Sequence, residues 1–427
     1  MHTLTLHNKS KSLKGTIMLP ASKSISNRVL IIRALVDYPF EITNLSNADD
    51  TLILKNLLKR IQSSNEDQTP LDCGNAGTAF RFLTAFLANR PGIWELTGSE
   101  RMKQRPVKIL VEALRELGAD IEYKGKNGFP PLFIKGKTLN GGIVNIDATT
   151  SSQYISALLL IAPVMPNVLE LHLSGKTTSL PYIEMTLLIL KKMGINWEYE
   201  NNRIKIPPQK YLAKDFKVEA DWSSAAYWYE IAAFSDDSDI FLPGLKKDSF
   251  QGDAVLQEIY EYFGIQTDFQ EKGIRLTKGS KPTKHFNFDF TDFPDLVQSI
   301  VVNCAGLNIP GDFIVPKNLR IKETDRIKAL QSELKKLGYK INLTESKKHF
   351  TLSLPKRNKQ VETNKRIIIR TYNDHRMALA FAPLCLFHKN LEIENPGVVS
   401  KSYPGFWGDL KILFSNLPAG TPNWHSR

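Results

Sequence analysis

Four stretches of this chain share one layout, and that repetition limits the possible folds more than any other feature. They are LVEALRELGADIEYKGKNGFPPLFIKG, LLILKKMGINWEYENNRIKI, LQEIYEYFGIQTDFQEKGIRLTKG and LQSELKKLGYKINLTESKKHFTLSL. Each opens with apolar residues at helical spacing, such as Leu330, Leu334 and Leu337, and ends that run with a glycine placed as a helix C-cap. Two alternating apolar and polar segments around a polar turn follow, which is the pattern of a hairpin. In the second copy Ile195, Trp197 and Tyr199 alternate, Asn201 and Asn202 turn the chain, and Ile204 and Ile206 return. The glycines Gly118, Gly194, Gly264 and Gly338 lie 76, 70 and 74 residues apart, room for an α/β unit that buries one sheet face under helices. Helix–glycine–strand junctions are common in α/β proteins, but four at near-even spacing outweigh coincidence. With 427 residues the chain exceeds one hydrophobic core, so two domains are expected. The helical stretch VEADWSSAAYWYEIAAF follows the second hairpin near residue 220 and marks a crossing between halves.

Lysine and arginine outnumber aspartate and glutamate by 56 to 44, a formal charge of +12 that favours anionic partners. Nucleic acid, acidic lipid and phosphorylated metabolites all qualify on charge alone. The basic residues are scattered, many as pairs such as Lys191-Lys192, without a basic stripe interleaved with aromatics, so a nucleic-acid partner is not expected. The N-terminal stretch has no apolar core for a signal peptide, and the longest apolar run, ISALLLIAPVM, is short and broken by proline. A cytoplasmic protein without membrane association is expected. Cys73, Cys304 and Cys385 are odd in number and far apart, which points to buried thiols rather than a disulfide framework or a zinc site.

Several helix starts combine small residues with Lys or Arg. In LPASKSISNR a helix is expected to begin near Ser24 to Ser26, with free backbone N–H groups and Lys23, Ser24 and Arg28 beside them. CGNAGTAFR places Gly77 in a small-residue turn that lets a ligand approach the backbone, and RMKQRP puts Arg105 before a proline. Ser151, Ser152 and Gln153 open a further helix, suited to hydroxyl and phosphate contacts or to plain capping. Asp295 follows a proline at a helix start, and from that stretch alone capping is the stronger reading. YNDHRMALAF sets His375 and Arg376 before an apolar run, VVSKSYPGFW holds Lys401, and RIKETDR packs five charges into seven residues. Exposed ion pairs contribute only about 0–1 kcal/mol, so stability gives little reason for so many charged turns. Two charges 4 Å apart at an effective dielectric near 20 attract by roughly 4 kcal/mol, which makes a multiply charged anion the better reason. Glu323, inside this cationic cluster, is expected to be ionised unless a ligand's negative charge lies close by.

Taken in order, LPASKSISNR, CGNAGTAFR, RMKQRP, SSQY, SLPYIEMT, FPDL, RIKETDRI, YNDHRMA and SKSYPGFW resemble the EPSP synthase family, from about Pro20 to about Trp407. The resemblance implies a two-domain inside-out α/β barrel of six βαβαββ repeats, three per domain, with a double chain crossover. Residues 21–221 would form one domain, and residues 1–20 with 222–427 the other. The implied reaction moves the enolpyruvyl group of phosphoenolpyruvate to the 5-hydroxyl of shikimate 3-phosphate and releases phosphate. By motif, shikimate 3-phosphate would be held by Lys23, Ser24, Arg28, Ser151, Ser152, Gln153, Ser179, Asp295, Asn318 and Lys322. Phosphoenolpyruvate would be held by Lys23, Gly77, Arg105, Gln153, Arg326, Arg376 and Lys401. Asp295 would take the hydroxyl proton and Glu323 would serve the methylene carbon, with Lys322 sharing that transfer and His375 a secondary catalytic candidate. No metal or organic cofactor is implied, and a monomer acting on two small molecules is expected.

Two positions depart from the family pattern: Phe82 stands where many members have proline, and Leu180 where lysine is common. The sister family acting on UDP-N-acetylglucosamine usually carries a reactive cysteine before an Arg-Pro pair, whereas this chain reads GSERMKQRP there. A non-enzymatic anion binder is the remaining alternative, opposed by the presence of Asp295, Glu323 and Lys401.

Overall fold

The computed structural model describes residues 2–6, 11–63, 70–346, 349–355 and 366–415. The chain divides into two compact units, one of residues 22–218 and one that joins residues up to Ala21 with those from Glu219 onward. The second is called the split unit below. Among the described residues no helix is long and apolar enough to cross a membrane.

The 22–218 unit holds two four-stranded sheets of the same design. In one the strands run Leu71–Asp72, Gly92–Thr97, Leu132–Gly136, Asp120–Tyr123; in the other Gly142–Asp147, Leu169–Ser174, Arg203–Ile206, Glu198–Glu200. The first two strands of each are parallel and the rest antiparallel. A parallel pair needs a crossover, supplied by the helices Gly77–Ala88 and Ser152–Ile161, while an antiparallel pair closes through a short turn. The helices Lys108–Glu116 and Leu180–Lys192 lead into the hairpins. The split unit repeats this design in the sheet Phe286–Asp289, Gly311–Pro316, His349–Leu354, Asn342–Glu345. Its other four-stranded sheet runs Ile265–Gln270, Gly273–Lys278, Asp237–Pro243 and Ser12–Thr16, so a strand from the beginning of the chain fills the parallel position. A three-stranded sheet of Thr3–Leu6, Leu391–Glu394 and Ile367–Ile369 completes it.

The repeat read from the sequence is present in all four copies. Gly118, Gly194, Gly264 and Gly338 have φ of 96°, 84°, 76° and 81°, the left-handed conformation that ends a helix and that a side chain resists. In the second copy Asn201 and Asn202 also have positive φ, and Glu200 pairs with Arg203 across a two-residue turn. That strand begins only at Glu198, because the Ile195 amide still donates to Leu190 O at the helix end. The turn expected in the fourth copy, at residues 347–348, lies outside the described residues.

Three helices are almost wholly buried and predominantly apolar on every side, although Arg81 and Glu230 lie on two of them. Every residue of Gly77–Ala88 except Thr78 is buried, every residue of Ser152–Ile161 except Gln153, and every residue of Trp222–Phe234 except Ser223. The exceptions sit in the first turns. Each buried helix therefore reaches solvent only at its N-terminus, where unpaired N–H groups and the positive end of the dipole lie.

Candidate active site

In the 22–218 unit, Ser22 caps the helix Lys23–Leu35 by accepting from the Ile25 amide. The expected start near Ser24 to Ser26 is thus corrected to Lys23, because the capping hydroxyl belongs to Ser22. Lys23 Nζ lies 3.0 Å from Asp50 Oδ2, at the acidic start of the helix Asp49–Ser63. One turn on, Arg28 is 3% exposed. Its Nε donates to Thr186 Oγ1 at 2.7 Å, its Nη1 to Ser24 O at 2.8 Å, and its Nη2 to Tyr182 O at 2.9 Å and Ser156 Oγ at 3.2 Å. All four acceptors are neutral, and the guanidinium carbon is 5.5 Å from the centre of the Phe82 ring. Burial pulls the Arg28 pKa down to about 10, so an arriving anion would restore what desolvation removed.

Gly77 is the first residue of its helix, and a Cβ there would lie 2.7 Å from both Nη atoms of Arg105. Glycine is what allows the buried guanidinium of Arg105 to rest against that first turn. The Arg105 backbone is extended, as a residue before proline prefers, and the next carbonyl, Pro106 O, accepts from Arg81 Nη2 and from the Tyr154 hydroxyl. Ser151 caps the helix Ser152–Ile161, and Gln153 Nε2 donates to Thr78 Oγ1 at 3.1 Å, joining the two partly exposed first turns. Ser179 is 3% exposed and left-handed, with φ of 59°, and its hydroxyl makes no capping bond. Such a backbone is unfavourable for a residue with a Cβ.

In the split unit one guanidinium gathers three carboxylates. Arg326 is 1% exposed; its Nε donates to Asp374 Oδ2 at 2.8 Å, Nη1 to Asp295 Oδ1 at 3.0 Å and Nη2 to Glu323 Oε2 at 3.2 Å. The second oxygen of Asp295 accepts from Arg376 Nη2 at 2.7 Å, and the second oxygen of Glu323 is 3.4 Å from Lys401 Nζ. Burial works against the charge on Arg326, but Asp374, Glu323 and Asp295 outweigh it and hold its pKa above the ordinary value. Arg376 Nη1 also donates to the Tyr227 hydroxyl at 3.4 Å. Nearby, Asp253 accepts from the Ser223 hydroxyl, and burial, with the charge of Asp295 adding to it, pushes the Asp253 carboxyl up to about 7.

Local structure explains these positions. Asp325 caps the helix Arg326–Lys336 through the Lys328 amide, which fixes Arg326 in the first turn. Asp374 caps the helix His375–Phe381 through the Arg376 amide with one oxygen and takes Arg326 with the other. His375 is buried, its Nδ1 3.7 Å from Asp374 Oδ1, beyond hydrogen-bonding range. Asn318 is buried in the 3-10 helix Lys317–Ile321, and Lys322 follows it half-buried. The capping reading of Asp295 is overturned: the residue before the helix Val297–Gly306 is Leu296, no side chain caps it, and the Asp295 carboxylate turns to two arginines instead.

The sequence profile of EPSP synthase (3-phosphoshikimate 1-carboxyvinyltransferase) matches residues 7–410. A 3-phosphoshikimate 1-carboxyvinyltransferase of Bacteroides fragilis is 49% identical over 410 residues, covering 96% of this chain and 97% of its own. The chain belongs to the EPSP synthase family. A Sulfurovum member is 35% identical over 97% of this chain and 100% of its own length. A solved EPSP synthase from Acinetobacter baumannii superposes with a TM-score of 0.75 over 96% of this chain and 98% of its own, at 22% identity, so the mixed α/β fold is also that of EPSP synthases.

Within this EPSP synthase family member, Asp295, Glu323, Arg326, Arg376 and Lys401 form one connected network, and Gly77 with Arg105 and Lys23 with Asp50 form contacts in the other unit. Asp50 and Asp253 do not stand out in the sequence as parts of the site, whereas Asp374 stands with His375 and Arg376 ahead of an apolar run. An Asp just ahead of an apolar run is an N-cap signal, so the position of Asp374 was readable, although its second bond to a side chain 48 residues away was not.

Proposed function

We propose that this chain carries out the family reaction with the residues brought together above. The observation that carries the reading is the network in which Asp295 and Glu323 each lie between two cations. In the free protein these carboxylates neutralise Arg326, Arg376 and Lys401. Phosphoenolpyruvate brings a phosphate and a carboxylate that compete for the same cations, which frees carboxylate oxygens of the protein for proton transfer. Asp295 then takes the proton of the attacking 5-hydroxyl as the new C–O bond forms at C2, while C3 gains a proton delivered through Glu323 and Lys322. Elimination reverses the second transfer: C3 loses a proton to Glu323 and the C–O bond to phosphate breaks. Orientation and electrostatic stabilisation by fixed cations supply the rate enhancement, without covalent attachment to the protein.

Lys23, Ser24, Arg28, Ser151, Ser152, Gln153, Ser179, Asn318 and Lys322 are assigned to shikimate 3-phosphate. Gly77, Arg105, Arg326, Arg376 and Lys401 are assigned to phosphoenolpyruvate, with Lys23 and Gln153 touching both; His375 remains a secondary catalytic candidate. Arg28, desolvated among neutral acceptors, supports the phosphate assignment. The thiols Cys73, Cys304 and Cys385 are buried and burial pushes each of them up, which disfavours the cysteine-bearing sister chemistry. The four β-α-β-α-β-β sheets support the finer architecture, an inside-out barrel of six such repeats in domains of residues 21–221 and of 1–20 with 222–427. We place the protein in the cytoplasm as a monomer. Incubation with phosphoenolpyruvate and shikimate 3-phosphate after chelation of metals is expected to release inorganic phosphate; release no greater than from phosphoenolpyruvate alone would defeat the assignment.

A further inference from the structure

Lys401 ends the 3-10 helix Pro396–Lys401 and is followed at once by a buried aromatic cluster that neither the resemblance nor the reaction explains. Two residues on, Tyr403 is 1% exposed. Its hydroxyl donates to Asp409 Oδ2 at 2.7 Å and accepts from Trp228 Nε1 at 3.2 Å, so its donor and one acceptor site are both used. Its ring packs edge-on against Trp228 and against Phe406. The Tyr403 amide donates to Val399 O at 2.7 Å, tying the ring to the turn that carries Lys401. Trp228 adjoins Tyr227, whose hydroxyl accepts from Arg376. One helix, Trp222–Phe234, thus supports two cations of the network: Arg376 directly and Lys401 through Tyr403.

We propose that Trp228, Tyr403 and Asp409 form a positioning relay that sets the ammonium of Lys401 for the anionic donor substrate. The proposal rests on the assignment of Lys401 to phosphoenolpyruvate. None of the three relay residues touches substrate in this reading. A hydroxyl bonded to an ionised carboxylate is held more firmly than one bonded to a neutral acid, so the relay is tightest when Asp409 is charged. Burial pushes the Asp409 carboxyl up to about 6, opposed by the Tyr403 hydroxyl, which brings its titration close to neutrality. Among the described residues, the elements packed around the relay carry the following charged groups. Asp221, the N-cap of Trp222–Phe234, adds a negative charge near Tyr403; Lys411 shares the helix of Asp409; and Lys14, on the strand Ser12–Thr16 packed against that helix, is paired with Asp237 at 3.1 Å. From the helix His375–Phe381, packed on the Lys401 turn, come His375 and Arg376.

The test compares Tyr403→Phe, Asp409→Asn and Lys401→Met with the wild-type chain in steady-state kinetics between pH 5.5 and 8. Tyr403→Phe is expected to raise KM for phosphoenolpyruvate about tenfold at pH 8, the loss of one hydrogen bond to a charged group, with KM for shikimate 3-phosphate unchanged. In the wild type, the ratio of its KM for phosphoenolpyruvate to that of Tyr403→Phe should shift as pH falls through about 6, because the relay is then lost in both. Asp409→Asn should match the acid form of the wild type at every pH. If Tyr403→Phe and Asp409→Asn melt at lower temperature but keep the wild-type KM and pH profile, the relay is merely structural and the proposal is overturned. Lys401→Met separates the two readings: if it leaves KM for phosphoenolpyruvate unchanged, the assignment of Lys401 itself fails, whereas a raised value with unaffected relay variants sinks only the relay.

Discussion

Replacing Arg326 with methionine would test the central feature of the split unit. The three carboxylates it serves are not equally able to do without it. Asp295 keeps Arg376 and is 23% exposed at its side chain, and Glu323 keeps Lys401. Asp374 has 0% exposure, and its other oxygen accepts from the Arg376 amide with the His375 ring 3.7 Å away, so losing Arg326 would leave a buried carboxylate without its guanidinium partner. Breaking a buried pair in this way costs about 3–5 kcal/mol, and most of that should fall on Asp374. Arg326→Met is therefore expected to lose about 4 kcal/mol of stability at pH 8 in urea unfolding followed by circular dichroism. Adding Asp374→Asn removes the charge yet keeps an oxygen for the Arg376 amide. The double variant should recover about 2 kcal/mol relative to the sum of the single effects. A deficit below about 1 kcal/mol, or strict additivity, would refute this reasoning.

Three further outcomes follow from the same geometry. Glu323→Ala is expected to lower kcat by about 100-fold or more with a smaller effect on either KM, read from initial rates; unchanged kcat would remove its proton role. Gly77→Ala would push a methyl against the Arg105 guanidinium, where only 2.7 Å is available, so KM for phosphoenolpyruvate should rise about tenfold while the circular dichroism spectrum is kept. Asp253 has its folded-state carboxyl raised to about 7, above its unfolded value, so stability falls as pH rises from about 4 to 7; Asp253→Asn should be more stable than wild type at pH 8 and show no gain at pH 4, by denaturant titration.

Much of the fold was legible because it rests on local signals. A helix ended by a left-handed glycine and followed by alternating strands announces itself within about 25 residues, as the four copies show. The Asn201-Asn202 turn was readable for the same reason. Sheet partners were not, since the pairing of Ser12–Thr16 with Asp237–Pro243 joins segments more than two hundred residues apart and neither pattern names the other. In the site, residue types at helix starts marked where the cations lie. What they bind in the free protein was not marked: the Asp295 stretch has the form of a cap, and only the folded chain turns its carboxylate toward Arg326 and Arg376. That the acceptors of Arg28 among the described residues include no carboxylate was likewise hidden, because Ser156, Tyr182 and Thr186 come from two helices 128 to 158 positions away.

The strand Ser12–Thr16 has a consequence for synthesis. It is made early, yet the strand it lies beside, Asp237–Pro243, leaves the ribosome about 220 residues later, roughly 10–45 s at ordinary elongation rates. Throughout that interval its peptide groups are bare, a condition in which apolar strands recruit one another into aggregates. Its sequence, SLKGT, offers a single buried side chain, a lysine and a glycine, so the nascent segment has little to adhere with. Residues 22–218 can meanwhile mature as the tether lengthens, leaving the early strand to be captured by a sheet that does not yet exist when it emerges.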